Sequence, residues 1–165
     1  VSRTHELLRP WTEGPFTLKE AAERYGEALV AEALRERILK PVMTRLGPVL
    51  VPASRGRVAL GLTRHYTPRP APLEDALLVR RQVEEMVARG YRVLSRKGGR
   101  AVLEGEGERV LVVGGAQRGL LESRPRRKDP LEATAQRVVV LVPEGQAVRR
   151  SRLRVEVREV ALGGG

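Results

Sequence analysis

Apolar positions in the first third of the chain follow a helical period as far as Ile38 and a strand-like one beyond it. Thr17-Leu18-Lys19-Glu20 has the form of a capping box, in which the threonine hydroxyl serves the Glu20 amide and the glutamate reaches back to the Thr17 amide. A helix is expected from there to Tyr25, closed by Gly26 in a left-handed turn position. From Glu27 to about Ile38 a second helix should bury Leu29, Val30, Ala33, Leu34 and Ile38, which share one side at 100° per residue. "LKPVMT" and "PVLVPAS" then predict two short strands around a turn at Leu46-Gly47-Pro48. Upstream, residues 3–9 suit one or two helical turns, with Leu7 and Leu8 inward and Trp11 as a plug.

Helix, tight turn, helix and β-hairpin is the order of a winged helix-turn-helix, expected over residues 1–66. "TPRPAP" (Thr67–Pro72) predicts a stiff, extended linker over residues 67–72. Over residues 73–165 a small α/β domain is expected. Ala76, Val79, Val83, Met86 and Val87 form the stripe of a helix of about four turns that closes at Gly90. "YRVLSR", "RAVLE" and "RVLVV" predict strands separated by turns at Gly98-Gly99 and "GEGE". Asp129-Pro130-Leu131-Glu132 is a second capping box with proline at the first helical position. "RVVVLV" (Arg137–Val142) predicts a strand buried on both faces, and the alternating "RLRVEVR" one with a wet face. The fold class is therefore α+β, the second domain running α-β-β-β-α-β-β.

Charge sharpens this picture. The 165 residues carry 31 basic and 20 acidic side chains, a formal charge of +11 that favours polyanionic partners, nucleic acid above all. Only Lys19, Lys40, Lys97 and Lys128 are lysines, and asparagine is absent, the bias of a thermophile or of a GC-rich genome. Aromatic residues make up 3%, too few for a base-stacking platform on single strands. Without cysteine there is no disulfide and no thiolate metal site. No stretch is apolar enough to span a membrane, and "VSRTHELLRPWTEG" lacks the apolar core of a secretory signal, so a cytoplasmic protein is expected.

The acidic residues are unevenly spread along the chain. No acidic residue occurs between Glu36 and Glu74, where the chain average of 20 in 165 would place about four or five. Arg37, Lys40, Arg45, Arg55, Arg57, Arg64 and Arg69 all fall in this gap, which suits phosphate contacts along a wing. Thr17 and Lys19 at the first helix start join this DNA-binding set. Arg35 on the second helix is the candidate base reader, although Glu32 and Glu36 beside it make that face net negative.

Other chemistry is weaker. Helix, three-stranded meander, helix and strand is the core order of restriction-endonuclease-like folds, which need an acid and then a Glu/Asp-x-Lys to hold a divalent metal. "RVLVVGG" supplies neither, so the domain is expected to be a degenerate, non-catalytic version with no cofactor or metal. The rival is a nuclease with a displaced site at Glu104 or Glu106, and a third option is a protein-binding adaptor. "GGAQRG" departs from a dinucleotide fingerprint at Ala116, and His5 and His65 have no evident catalytic partner. "RPRRK" (Arg124–Lys128) is a basic loop that suits either a second backbone contact or plain solvent exposure.

The capped "TLKEAAERYG" helix, "ILKPVMTRLGPVLVP", the proline-marked linker and the degenerate α/β domain together resemble the replication-relaxation proteins of plasmids and mobile elements. That resemblance implies binding of double-stranded DNA in replication, maintenance or transcription control. The partners expected are duplex DNA, a second copy of the chain paired through "RLRVEVR", and a replication or transcription protein.

Overall fold

The protein is α+β, and its structure, a computed structural model, describes residues 3–115, 134–143 and 156–160. Residues up to Leu73 form one compact unit and Glu74–Leu162 a second.

In the first unit a 3-10 turn (Arg3–Leu7) runs into α1 (Leu8–Glu13), followed by β1 (Phe16–Thr17), α2 (Leu18–Tyr25) and α3 (Glu27–Arg35). The hairpin strands β2 (Leu39–Thr44) and β3 (Gly47–Pro52) precede a six-residue helix, α4 (Ser54–Ala59). The capping box forms as expected: Thr17 Oγ1 accepts from the Glu20 amide at 3.1 Å, and Glu20 Oε1 accepts from the Thr17 amide at 3.1 Å. Gly26 breaks the two helices apart at φ 90° and ψ 141°, a glycine-favoured conformation but not the left-handed helical one expected.

The three strands lie in the order β1-β3-β2, with β3 in the middle. Leu39 to Thr44 pair antiparallel with Pro52 to Gly47, and the turn falls at Arg45-Leu46, one residue earlier than predicted. Leu46 donates its amide to Thr44 Oγ1 at 3.1 Å, and Gly47 takes φ 97°, which glycine tolerates without strain. Pro41 sits in β2, an outer strand of this sheet, where a missing amide costs no central ladder bond. Leu7, Leu8, Trp11, Phe16, Val30, Ala33, Ile38 and Leu50 close one core. Trp11 donates its indole N–H to the Leu50 carbonyl, and its ring lies 5.2 Å from Phe16, so the plug forms. Leu29 and Leu34 only flank that core.

The second unit differs from expectation at its entrance. The segment expected as an extended linker is helical from Pro70, because α5 spans Pro70–Ala88. Pro70 and Pro72 lie in its first turn, where their lost amides would have had no intrahelical partner. The helix also buries more than one stripe. Leu77, Leu78, Val79, Val83 and Met86 are buried, as are Glu74, Asp75, Arg80 and Gln82, whereas Val87, expected inward, is exposed. Gly90 ends it as predicted, at φ 99°, with the Tyr91 amide donating to Met86 O and the Gly90 amide to Val87 O.

Strands β4 (Arg92–Lys97), β5 (Arg100–Gly105), β6 (Glu108–Gly114), β7 (Arg137–Pro143) and β8 (Glu156–Val160) are neighbours in that order. The first three are antiparallel, and β6, β7 and β8 are parallel. Val139, Val140 and Leu141 are buried in succession, as expected of a strand covered on both faces. Val102, Leu111, Val113 and Val140 form a core cluster. Gly114 is required by packing: a Cβ there would lie 2.2 Å from Asp75 Cγ. The expected helix at Asp129–Glu132, the basic loop Arg124–Lys128, the residues of "GGAQRG" after Gly115 and the first part of "RLRVEVR" lie outside the described residues.

Candidate nucleic-acid interface

The geometry of interest is built at the end of α3, which stops at Arg35 rather than Ile38. Ile38 donates its amide to Ala33 O at 3.0 Å and Arg37 donates to Leu34 O at 3.3 Å, the paired bonds of a Schellman ending. The left-handed residue this motif needs is Arg37, at φ 59°, where glycine is the usual occupant. The carbonyls left over bond onward: Arg37 O accepts from the Arg55 amide at 3.1 Å and Ile38 O from the Ala53 amide at 2.9 Å. These bonds draw the start of α4 against the end of α3. Gly56 allows the approach, since a Cβ there would lie 2.1 Å from Ile38 O.

As a result, distant members of the acid-free stretch meet. Arg55 and Arg64 line one concavity of about 320 Å³ together with His5, Glu36, Ile38 and Val58. Arg37 is joined to Arg55 through the backbone. Among the described residues no hydrogen bond or ion pair engages the side chains of Arg35, Arg37, Arg55 or Arg64, all of which are exposed.

Lys40 and Arg57, both of the expected set, have internal duties. Lys40 Nζ donates to Tyr66 O at 3.0 Å and to Thr67 Oγ1 at 2.7 Å. Arg57 donates to the Thr63 carbonyl and stacks 5.0 Å from the Tyr66 ring centroid. Both fasten the segment that carries Arg64, so they position a charge as well as adding their own. Arg45 is exposed at the hairpin turn and does not line this concavity, and Lys19 is exposed on α2. Thr17 is the exception: it is 2% exposed and its hydroxyl is occupied by Glu20, so that side chain caps a helix and does not present itself to a ligand.

On the outer face of α3 one of the two carboxylates has an internal partner. Glu36 Oε2 accepts from the buried Thr4 hydroxyl at 2.7 Å. Arg35 stays exposed, and Glu32 is half-buried. The part of this region that sequence patterns missed is α4. Its N-cap is Ala53, which offers no side-chain oxygen, and six residues are too few to show a period.

In the second unit the grouped glutamates are neutralised locally. Glu104 accepts from Arg92 at 3.2 Å and lies 3.8 Å from Arg109; Glu106 accepts from Arg89 at 3.1 Å, and Glu108 from Arg137 at 3.2 Å. The Tyr91 hydroxyl lies 3.1 Å from both Glu106 Oε2 and Glu108 Oε1, so its single proton serves one carboxylate at a time. Burial pushes this phenol above its ordinary range, and the two carboxylates push it further. Among the described residues no group of three or more His, Cys, Asp or Glu side chains is placed to share a metal ion.

No family model, curated protein or solved structure matches this chain. Among the described residues no helix is long and apolar enough to cross a membrane.

Proposed function

We propose that the first unit is a winged helix-turn-helix that binds double-stranded DNA without catalysing a reaction on it. The observation that carries this reading is the placing of Arg55 and Arg64 at one concavity, with Arg37 joined to Arg55 through the backbone, in a stretch with no acid from Arg37 to Leu73. Three uncompensated guanidinium groups beside an exposed helix suit phosphates flanking a groove. Arg35 on that helix is the base reader in this scheme, because guanidinium can bond both O6 and N7 of guanine. Arg45 at the hairpin turn and Lys19 on α2 add backbone contacts.

The order of α5, the antiparallel β4-β5-β6 meander and the parallel β7 supports a restriction-endonuclease-like reading of the second unit. At the end of β6, Val112, Val113 and Gly114 stand where metal-binding acid and lysine would be needed. Glu104 and Glu106, candidates for a displaced nuclease site, are held by Arg92, Arg109 and Arg89, which favours a non-catalytic domain. The wider proposal is a homodimeric protein of the replication-relaxation type, acting with a replication or transcription partner in plasmid or mobile-element maintenance.

The test is duplex binding at several salt concentrations. If about four cations meet phosphates, log K should fall with log [salt] at a slope of about −3.5. A slope near zero, or no duplex binding at low salt, refutes the reading.

A further inference from the structure

The concavity beside α4 has a composition that phosphate binding alone does not use. Ile38, Val58 and Ala59 supply an apolar lining within a volume of about 320 Å³, the lower end of the range for small-molecule sites. Val58 leaves 56% of its surface exposed there, on a short helix otherwise rich in arginine. The side chains of Arg55 and Arg64 stand at the same concavity, and neither makes a hydrogen bond or ion pair among the described residues. Its wall also contains His5 and Glu36, and the Glu36 carboxylate already accepts from Thr4. Two guanidinium groups therefore outnumber one engaged carboxylate.

A neutral apolar molecule would leave both arginines unused, and a bare inorganic anion would leave the apolar lining wet. We propose that this concavity binds a small organic carboxylate with an apolar tail, the tail covering the exposed Val58 and Ala59 and the carboxylate accepting from Arg55 and Arg64. Because those arginines are also assigned to phosphates, the bound carboxylate displaces duplex DNA. This competition rests on the DNA reading, whereas the binding itself does not.

The probe is decanoate, titrated into the full chain and followed by calorimetry and by amide shifts at Ile38 and Ala59. Saturable binding of one decanoate per chain is expected, weakened about tenfold by Arg55→Gln or Arg64→Gln. Val58→Asp should abolish it, and if that variant fails to fold the two exposed arginine variants still decide the matter. The site is overturned if decanoate does not saturate, if decanol binds as tightly, if acetate competes equally well, or if the arginine variants bind like the parent. In a second arm, decanoate should lower duplex affinity in the parent and do so less in Arg64→Gln. Decanoate binding with unchanged duplex affinity overturns the competition alone, and an absence of duplex binding without decanoate overturns only the DNA reading.

Discussion

In the second unit Arg89, Arg92 and Arg137 lie 3.1 to 3.2 Å from Glu106, Glu104 and Glu108, whereas Arg35, Arg37, Arg55 and Arg64 in the first have no such partner among the described residues. The same side chain is ion-paired where acids are supplied and, among the described residues, left without an acidic partner where they are withheld. A net charge of +11 averages over both and hides the difference. What matters for a polyanion is charge left uncompensated on one surface.

The two helix ends make the same point in backbone terms. Both α3 and α5 finish with paired Schellman hydrogen bonds, but Gly90 occupies the left-handed position in one and Arg37 in the other. Gly90 satisfies the backbone at no steric cost. Arg37 accepts a disfavoured conformation in the region proposed to need a cation, a pattern that points to use of its side chain.

The largest expected effect comes from removing the uncompensated set. Replacing Arg37, Arg55 and Arg64 together with glutamine should flatten the salt slope by about two to three units and weaken duplex binding on the order of a hundredfold at low salt. Because these side chains have no hydrogen-bond or ion-pair partner among the described residues, the variant should melt close to the parent. Unchanged binding would mean that the two arginine populations do not differ in function.

Next come the helix ends, measured by denaturant unfolding. Gly90→Ala should cost about 1–2 kcal/mol, since the left-handed conformation penalises a Cβ. Arg37→Gly should instead stabilise by about 0.5 kcal/mol, the local gain being partly offset by the greater freedom of unfolded glycine. If both substitutions move stability the same way, the two ends are not equivalent.

A smaller effect is expected from Arg137→Gln, which removes the partner of Glu108 at a half-exposed site: about 0.5 kcal/mol of stability, with duplex affinity unchanged. Loss of duplex binding in this variant would show that the paired arginines also serve the ligand.

The smallest effect is alkaline. Tyr91 has a raised pKa, so the stability from its neutral hydroxyl is fully present below the unfolded phenol value of about 10 and is lost as pH rises through the higher folded value. Unfolding midpoints measured across that range should fall in the parent and fall less in Tyr91→Phe. Equal slopes would place the alkaline loss elsewhere.

Much of this architecture is legible in the sequence because its causes lie within a few residues of one another. Thr17 and Glu20 satisfy each other's amides across one helical turn, Gly90 permits a left-handed stop, and the β-branched run around Val139 to Leu141 suits a strand with both faces covered. Other features were ambiguous locally. Pro70 and Pro72 suit an extended linker and a first helical turn equally well. Ala53 gives no capping signal, so α4 was invisible, and Arg37 is not the residue type that marks a helix end.

The α+β class, the helix-helix-hairpin order and a basic segment free of acids follow from the order of residues alone. That Arg55 and Arg64 line one concavity follows from long-range packing. Amide-to-carbonyl bonds from Ala53 to Ile38 and from Arg55 to Arg37 fold α4 back over a hairpin, and Lys40 and Arg57 hold the next segment in place. Capping and strand periodicity are short-range and are written in neighbouring residues. The meeting of Arg37, Arg55 and Arg64 depends on contacts across a closed loop, made only once β2 and β3 have paired and the core beneath them is packed.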